Sequence, residues 1–211
     1  MTGPLGRPPV TRRAALAMLG GVALAACRRQ APWYGMDVRG ISPDLAFALH
    51  RAPQGRAVTQ ADFRGTICML YLGYTLCPDL CPMTMNYAAS ALARLGAAAG
   101  AVRVLFVTVD PLRDTDARLG SYVAQFGPSF VGLRGSDDAL ARLAARYRLA
   151  YDVTPGPPYR VTHSEALYVF DRASRARLLI STEHDGNDPA ACIAADLDRL
   201  LREPGPDVRG A

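Results

Sequence analysis

Apolar runs alternating with amphipathic helical stripes predict an α/β fold, a central mixed sheet flanked by helices. Three observations carry the prediction. Residues 67–73 (ICMLYLG), 102–109 (VRVLFVTV) and 130–133 (FVGL) are largely apolar without alternation, as strands buried on both faces are. Between and after them lie stripes with the 3.6-residue helix period. Two cysteines, Cys77 and Cys81, stand on the turn joining the first run to the first stripe.

The elements follow in order. Residues 45–50 and 57–63 suit a small N-terminal hairpin ahead of the first buried strand at 67–73. Met85, Ala88, Ala89, Leu92 and Leu95 then mark one face of a helix. After the strand at 102–109, Leu119, Tyr122, Val123 and Phe126 mark a second helix, with Gly127 as its stop. The strand at 130–133 leads to a helix capped by Ser136, with Asp137 and Asp138 in its first turn. Leu140, Leu143 and Tyr147 form its apolar stripe, and Arg142, Arg146 and Arg148 fall toward its end, as the helix dipole favours. Residues 166–170 and 177–181 read as a hairpin across 171–176. Asp188-Pro189 opens the last helix with a cap followed by Pro in the first turn, and that helix buries Ile193, Leu197 and Leu200. This order, with a dithiol where the first long helix begins, predicts a thioredoxin-like fold with an N-terminal hairpin extension. The domain is expected over residues 43–203, and 204–211 as a flexible tail.

The chain has 211 residues and a formal charge of +5, all 24 of its cations being Arg. Arg7, Arg12 and Arg13 precede residue 27 and no acid does; beyond residue 26, 21 Arg face 19 acids, leaving +2. A nucleic-acid binder would keep a basic patch in its folded part, so that partner class is excluded. Residues 14–26 (AALAMLGGVALAA) carry no charge. As a helix they would rise about 20 Å, short of the ~30 Å hydrocarbon core of a membrane. A basic start, a short apolar stretch and small residues before a break describe a signal peptide over 1–26. Thr11-Arg12-Arg13 with Leu16 partly resembles a twin-arginine export signal, although Ala15 stands where Phe is usual. Leu24-Ala25-Ala26-Cys27 resembles a bacterial lipobox, which would make Cys27 the lipid-bearing first residue of the mature chain; the plainer alternative is cleavage that leaves Cys27 free. Residues 27–42 are expected to be a tether. Either reading puts the domain outside the cytoplasm.

The other four cysteines divide by context. Cys68 lies inside a buried strand run and reads as a core thiol. Cys192, on the last helix beside Asp196 and Arg199, reads as structural. Cys77 and Cys81 lie in Tyr74-Thr75-Leu76-Cys77-Pro78-Asp79-Leu80-Cys81-Pro82. Free amides at a helix start favour thiolate over thiol. The spacing serves a structural disulfide, a redox pair, or two thiolates on one metal ion. Two thiolates rarely complete a metal site, and His163, on a loop before the strand at 166, is the candidate third ligand. His50 and His184 read as surface residues, with a weak adventitious site possible where His184 neighbours Glu183 and Asp185. Met83 is a minor candidate for a soft thioether ligand, whereas Met85 falls on the core stripe.

Three separated segments resemble the Sco/SenC family, membrane-tethered copper proteins of cytochrome oxidase assembly. Residues 73–82 (GYTLCPDLCP) are similar to its GYTxCPDxCP core; residues 109–115 (VDPLRDT) to its VDPxRDT element, with Leu112 where Glu is common; residues 161–164 (VTHS) to its VDHS element, with Thr162 where Asp is usual. The resemblance spans about residues 44–201. It implies a thioredoxin-like fold and copper, Cu(I) or Cu(II), held by Cys77, Cys81 and His163, with Asp79 and Asp110 as outer or loop-fixing residues. Thr162 bears on partner handling more than on binding.

The function so implied is a copper chaperone serving the dinuclear copper centre of a cytochrome c oxidase subunit, a metallochaperone rather than an enzyme. The expected partners are that subunit, a thiol reductant and, through lipid, a membrane facing the periplasm or extracytoplasmic space. The rival is a thiol–disulfide oxidoreductase acting on the oxidase subunit's copper-binding cysteines. Against a general reductase, the spacing is not Cys-x-x-Cys, and His163 stands where such an enzyme would be expected to show a loop Pro. A peroxidase of the same fold ranks lower, because the sole Trp, Trp33, falls in the expected tether.

Overall fold

The computed structural model describes residues 32–181 and 186–205. The described residues contain ten strands and four α-helices. They run β1 (Met36–Asp37), β2 (Ala48–Arg51), β3 (Arg56–Thr59), β4 (Ile67–Gly73), α1 (Leu80–Leu95), β5 (Val102–Thr108), α2 (Asp116–Ala124), β6 (Phe130–Arg134), α3 (Asp137–Tyr147), β7 (Tyr151–Thr154), β8 (Arg160–His163), β9 (Leu167–Phe170), β10 (Ala176–Ile180) and α4 (Pro189–Arg202). Eight strands form one mixed sheet in the order β1-β10-β9-β4-β5-β6-β2-β3, and β7 pairs only with β8.

The three apolar runs are its centre. β4, β5 and β6 are parallel, with Leu70 opposite Leu105 and Leu105 opposite Val131, and β9 runs antiparallel to β4. Successive residues of a strand point to opposite faces. Ile67, Met69 and Tyr71 therefore pack with Met85, Ala88 and Leu92 of α1, Leu119 of α2 and Ile193 and Leu197 of α4. Cys68, Leu70 and Leu72 pack on the other face with Leu140, Leu143 and Tyr147 of α3 and with Leu49, Val58 and Phe63 of the N-terminal segment. The expected caps form: Ser136 accepts from Ala139 N–H, and Asp188 accepts from Ala190 and Ala191 N–H ahead of Pro189.

Two features differ from the sequence reading. Within the expected 27–42 tether, residues from Trp33 onward fold onto the sheet. β1 pairs with β10, Val38 is buried, and the buried carboxylate of Asp196 accepts the N–H groups of Tyr34 and Gly35 at 3.1 and 2.9 Å. The Trp33 ring lies 3.6 Å from the guanidinium carbon of Arg199 and 5.8 Å from that of Arg177. An aromatic beside two cations and an edge strand with one buried Val hold this segment, and neither carries a long apolar run. The second feature is the β7–β8 hairpin around residues 155–159. It makes His163 the last residue of a strand rather than part of a loop.

Candidate metal centre

β4 ends at Gly73, and the chain turns sharply into α1. A Cβ on Gly73 would stand 2.9 Å from Cys81 Sγ and 2.9 Å from the Phe106 ring, so this position has room only for hydrogen. The turn after it is tied down by Asp114, which is fully buried on the loop after β5. Its carboxylate accepts from Thr75 N–H at 2.9 Å, from the Thr75 hydroxyl at 2.5 Å and from the Thr108 hydroxyl at 2.6 Å. Cys77 lies half-buried within this turn, ahead of the helix, and its sulfur accepts the N–H of Cys81 at 3.4 Å. Cys81 is the second residue of α1 and fully buried.

His163 arrives from the β7–β8 hairpin. Its Nδ1 is 3.1 Å from the carbonyl oxygen of Ser164. A carbonyl only accepts, so Nδ1 carries the proton and Nε2 keeps its lone pair. That Nε2 lies 3.3 Å from Cys81 Sγ. Tyr71 and Tyr74 wall the ring edge-on, with centroids at 5.7 and 5.9 Å. Burial holds the imidazole below its ordinary pKa, which favours the neutral, ligating form. The hairpin is anchored by Asp110, itself buried, which accepts from the Tyr159 hydroxyl at 2.9 Å and pairs with Arg113; the Arg113 guanidinium in turn lies 3.7 Å over the Tyr159 ring.

One donor atom each from Cys77, Cys81 and His163 thus lie within 4.8 Å of one another, the one such cluster among the described residues. Two sulfurs and a neutral imidazole nitrogen suit a soft or borderline ion, Cu(I), Cu(II) or Zn(II), and disfavour hard cations that need oxygen. The Cys81 thiol does not follow the simple dipole expectation. Desolvation pushes the Cys81 thiol well up, outweighing the helix start. A bound cation would restore the thiolate by supplying the missing opposite charge.

The remaining candidates separate cleanly. Cys68 is a core thiol, pushed up to about 11 by burial, and Cys192 is a half-buried thiol on α4. Met85 is fully buried in the core beneath α1, Met83 is half-buried, and His50 is exposed. Asp79 caps α1 by position only, its exposed side chain making no capping hydrogen bond. Thr162 is exposed and pairs across the hairpin with Asp152, whose carboxylate accepts from Thr154. Cys27 and His184 lie outside the described residues. Sequence reasoning missed Asp114, Tyr71 and Tyr74 as builders of the site. Asp114 was visible inside the residues 109–115 motif, but nothing local says that its carboxylate crosses to Thr75. The centre opens on a cleft of about 330 Å³ lined by Tyr74, Cys77, Pro78, Leu80, Val161 and His163 among others. Leu80, the first residue of α1, is an exposed leucine that lines the cleft, and Leu76 is exposed on the turn before it; Leu112, 80% exposed, lines a separate cavity with Asp110 and Tyr159.

The SCO1/SenC family model matches residues 45–202, three quarters of the chain. The chain belongs to the SCO1/SenC family. The bovine mitochondrial SCO2 homolog is 39% identical over 146 residues, which cover 64% of this chain and 54% of that one. The chain spans about half the length of the curated relatives it matches. Among solved structures, Bradyrhizobium japonicum ScoI with copper bound superposes with a TM-score of 0.65 at 31% identity, over 75% of this chain and 99% of that one. The apo Sco1 protein of Thermus thermophilus gives 0.70 at 34% identity, over 82% and 99%. The family's thioredoxin-like architecture is the one described above. Its SCO1/SenC match covers the dithiol turn, the Asp110–Asp114 loop and the His163 hairpin together.

Proposed function

We propose that this chain is a copper chaperone acting outside the cytoplasm, which carries one copper ion on Cys77, Cys81 and His163 and delivers it to the dinuclear copper centre of a cytochrome c oxidase subunit. The observation that carries the reading is the convergence of two thiols and a lone-pair nitrogen, from segments 82 residues apart, to within 4.8 Å. The Bradyrhizobium relative solved with copper bound supports the choice of ion. The thiols select Cu(I), and the imidazole adds a donor that Cu(II) needs. Exposed Leu80, lining the cleft, and exposed Leu76 on the dithiol turn support a protein recipient, because they give a docking partner apolar area to bury.

The thiol–disulfide reading is less favoured. Exchange needs both sulfurs of the pair to be reached in turn, and Cys81 is fully buried against His163 and Tyr71, a setting that suits a ligand better. A thiol reductant is still part of the proposal, since both cysteines must be reduced in an oxidising compartment to hold copper. We also propose that residues 1–26 are an export signal, that Cys27 bears the lipid and that residues 27–32 are the free tether, placing the domain at the outer face of a bacterial membrane. No helix among the described residues is long and apolar enough to cross a membrane.

The test is oxidase assembly at limiting copper in cells that carry His163→Ala in place of the wild-type protein. Copper handling predicts that assembly fails while the reactivity of the Cys77–Cys81 dithiol is kept. Full assembly with His163→Ala would contradict the proposal and favour the thiol reading. For the anchor, Cys27→Ser should release a folded domain from membranes, and mass spectrometry showing an unmodified N-terminus at Cys27 would contradict it.

A further inference from the structure

Cys81 sits among more hydrogen-bonding groups than metal ligation requires. Its sulfur lies 4.0 Å from the hydroxyl of Tyr71 and is approached by the N–H of Tyr74. Tyr71 is fully buried on β4, its ring packed against Phe106 at 6.1 Å and edge-on to His163. Phe would fill that space equally well and would spare the desolvation of a hydroxyl. On α1, one turn after Cys81, Thr84 is buried with no hydrogen-bond partner for its own hydroxyl. A buried hydroxyl with nothing to bond is destabilising, and proteins rarely keep one without a use. Here the Tyr71 hydroxyl stands against one sulfur of the centre.

Resting on the copper reading of this centre, we infer that Tyr71 is a positioning residue: its hydroxyl donates to the Cys81 sulfur and so directs the remaining sulfur lone pairs toward Cys77 and His163. Metal binding removes the thiol proton to solvent, and the sulfur becomes a stronger acceptor. The Tyr71 hydroxyl would then donate to a charged sulfur, a stronger acceptor than a thiol. The arrangement holds the buried sulfur in one orientation without giving it the water that would loosen the metal. Partners of this kind, one shell out from the ligands, typically change metal affinity by 10–100-fold.

The experiment compares Tyr71→Phe with Tyr122→Phe, which removes a different buried and unpartnered hydroxyl on α2. The mature chain is loaded with copper. Release of Cu(I) to a competing chelator and the sulfur-to-Cu(II) absorption band are read for each, and thermal unfolding checks the fold. Tyr71→Phe should release Cu(I) roughly tenfold to a hundredfold more readily. Its absorption should move to longer wavelength, because a thiolate relieved of a hydrogen bond gives up an electron more easily. Tyr122→Phe should change neither. Equal retention and an unmoved band in Tyr71→Phe would overturn the inference, as would equal effects of the two variants, which would point to packing alone. A copper-free arm separates this result from the copper reading. In metal-free Cys77→Ser protein at one fixed pH, Tyr71→Phe should slow alkylation of Cys81 severalfold. An unchanged rate overturns the role of Tyr71 even where the wild-type protein proves to retain no copper, an outcome that by itself overturns only the copper reading.

Discussion

Gly73 and Asp114 never touch a metal in this account, yet each decides where a ligand stands. A methyl on Gly73 would collide with Cys81 Sγ and the Phe106 ring, both 2.9 Å away. Gly73→Ala should therefore cost about 1–3 kcal/mol in a urea melt, as overpacking does, and should displace the sulfur enough to weaken copper retention against a chelator. Asp114 takes three hydrogen bonds in a fully buried position. Asp114→Ala strands the donors of Thr75 and Thr108 and should lower stability by about 2–4 kcal/mol. It also frees the turn that carries Cys77, so copper retention should fall with it. A variant that unfolds at the wild-type urea midpoint would show that the carboxylate does not hold this loop.

Among the elements, the parts readable in advance were those whose signal is local. The uninterrupted runs at 67–73 and 102–109 could only be strands covered on both sides, and Ser136 and Asp188 marked helix starts by their own chemistry. The β7–β8 hairpin escaped because its residues are half-buried at best and its link is rich in Pro and Gly, leaving no apolar face to read. The approach of His163 to Cys81 is tertiary: the dithiol and the place of His163 before a strand make it a candidate third ligand, and the family resemblance points the same way, but no local pattern gives the contact itself. The same holds for Cys81 itself, where burial among Tyr71, Met85 and Phe106 reverses the effect of the helix start on its thiol. The N-terminal segment was misread as tether because it is held by a stacked Trp33 and by Asp196 rather than by an apolar run. A chain that begins at residue 43 should thus be less stable than one that begins at residue 32 by at least ~2 kcal/mol, the order of one buried Val side chain, in thermal or urea melts. Beside the same segment, on β10, buried Arg177 pairs with Glu203 and holds its carboxyl below its ordinary value of 4.5. A lowered folded pKa contributes stability that is complete above 4.5 and is lost as pH falls through the folded value. Wild type should exceed Glu203→Gln by about 1 kcal/mol at neutral pH, a modest figure because the carboxylate is partly in water. That gap should close as the pH is lowered below 4.5; a gap independent of pH would mean that packing, not charge, links the two residues.

At the largest scale, the described residues form a mixed sheet with three helices packed on one face and one on the other, and the donor atoms stand at the end where β4 gives way to α1. The hairpin brings the nitrogen, the strand-to-helix turn brings the sulfurs, and loops fixed by Asp110 and Asp114 keep the two together. Little must move for an ion to be held, and exposed Leu80 at the cleft offers a recipient apolar area to bury. The central claim is that Cys77, Cys81 and His163 form one copper site. Its most direct test is to titrate the reduced mature protein with Cu(I), measure retained metal, and read the ligands by X-ray absorption. The account predicts one copper per chain bound by two sulfurs and one nitrogen, with the nitrogen lost in His163→Ala and retention lost in Cys77→Ser with Cys81→Ser. Copper retained equally by the double serine variant, or a first shell without sulfur, would contradict it.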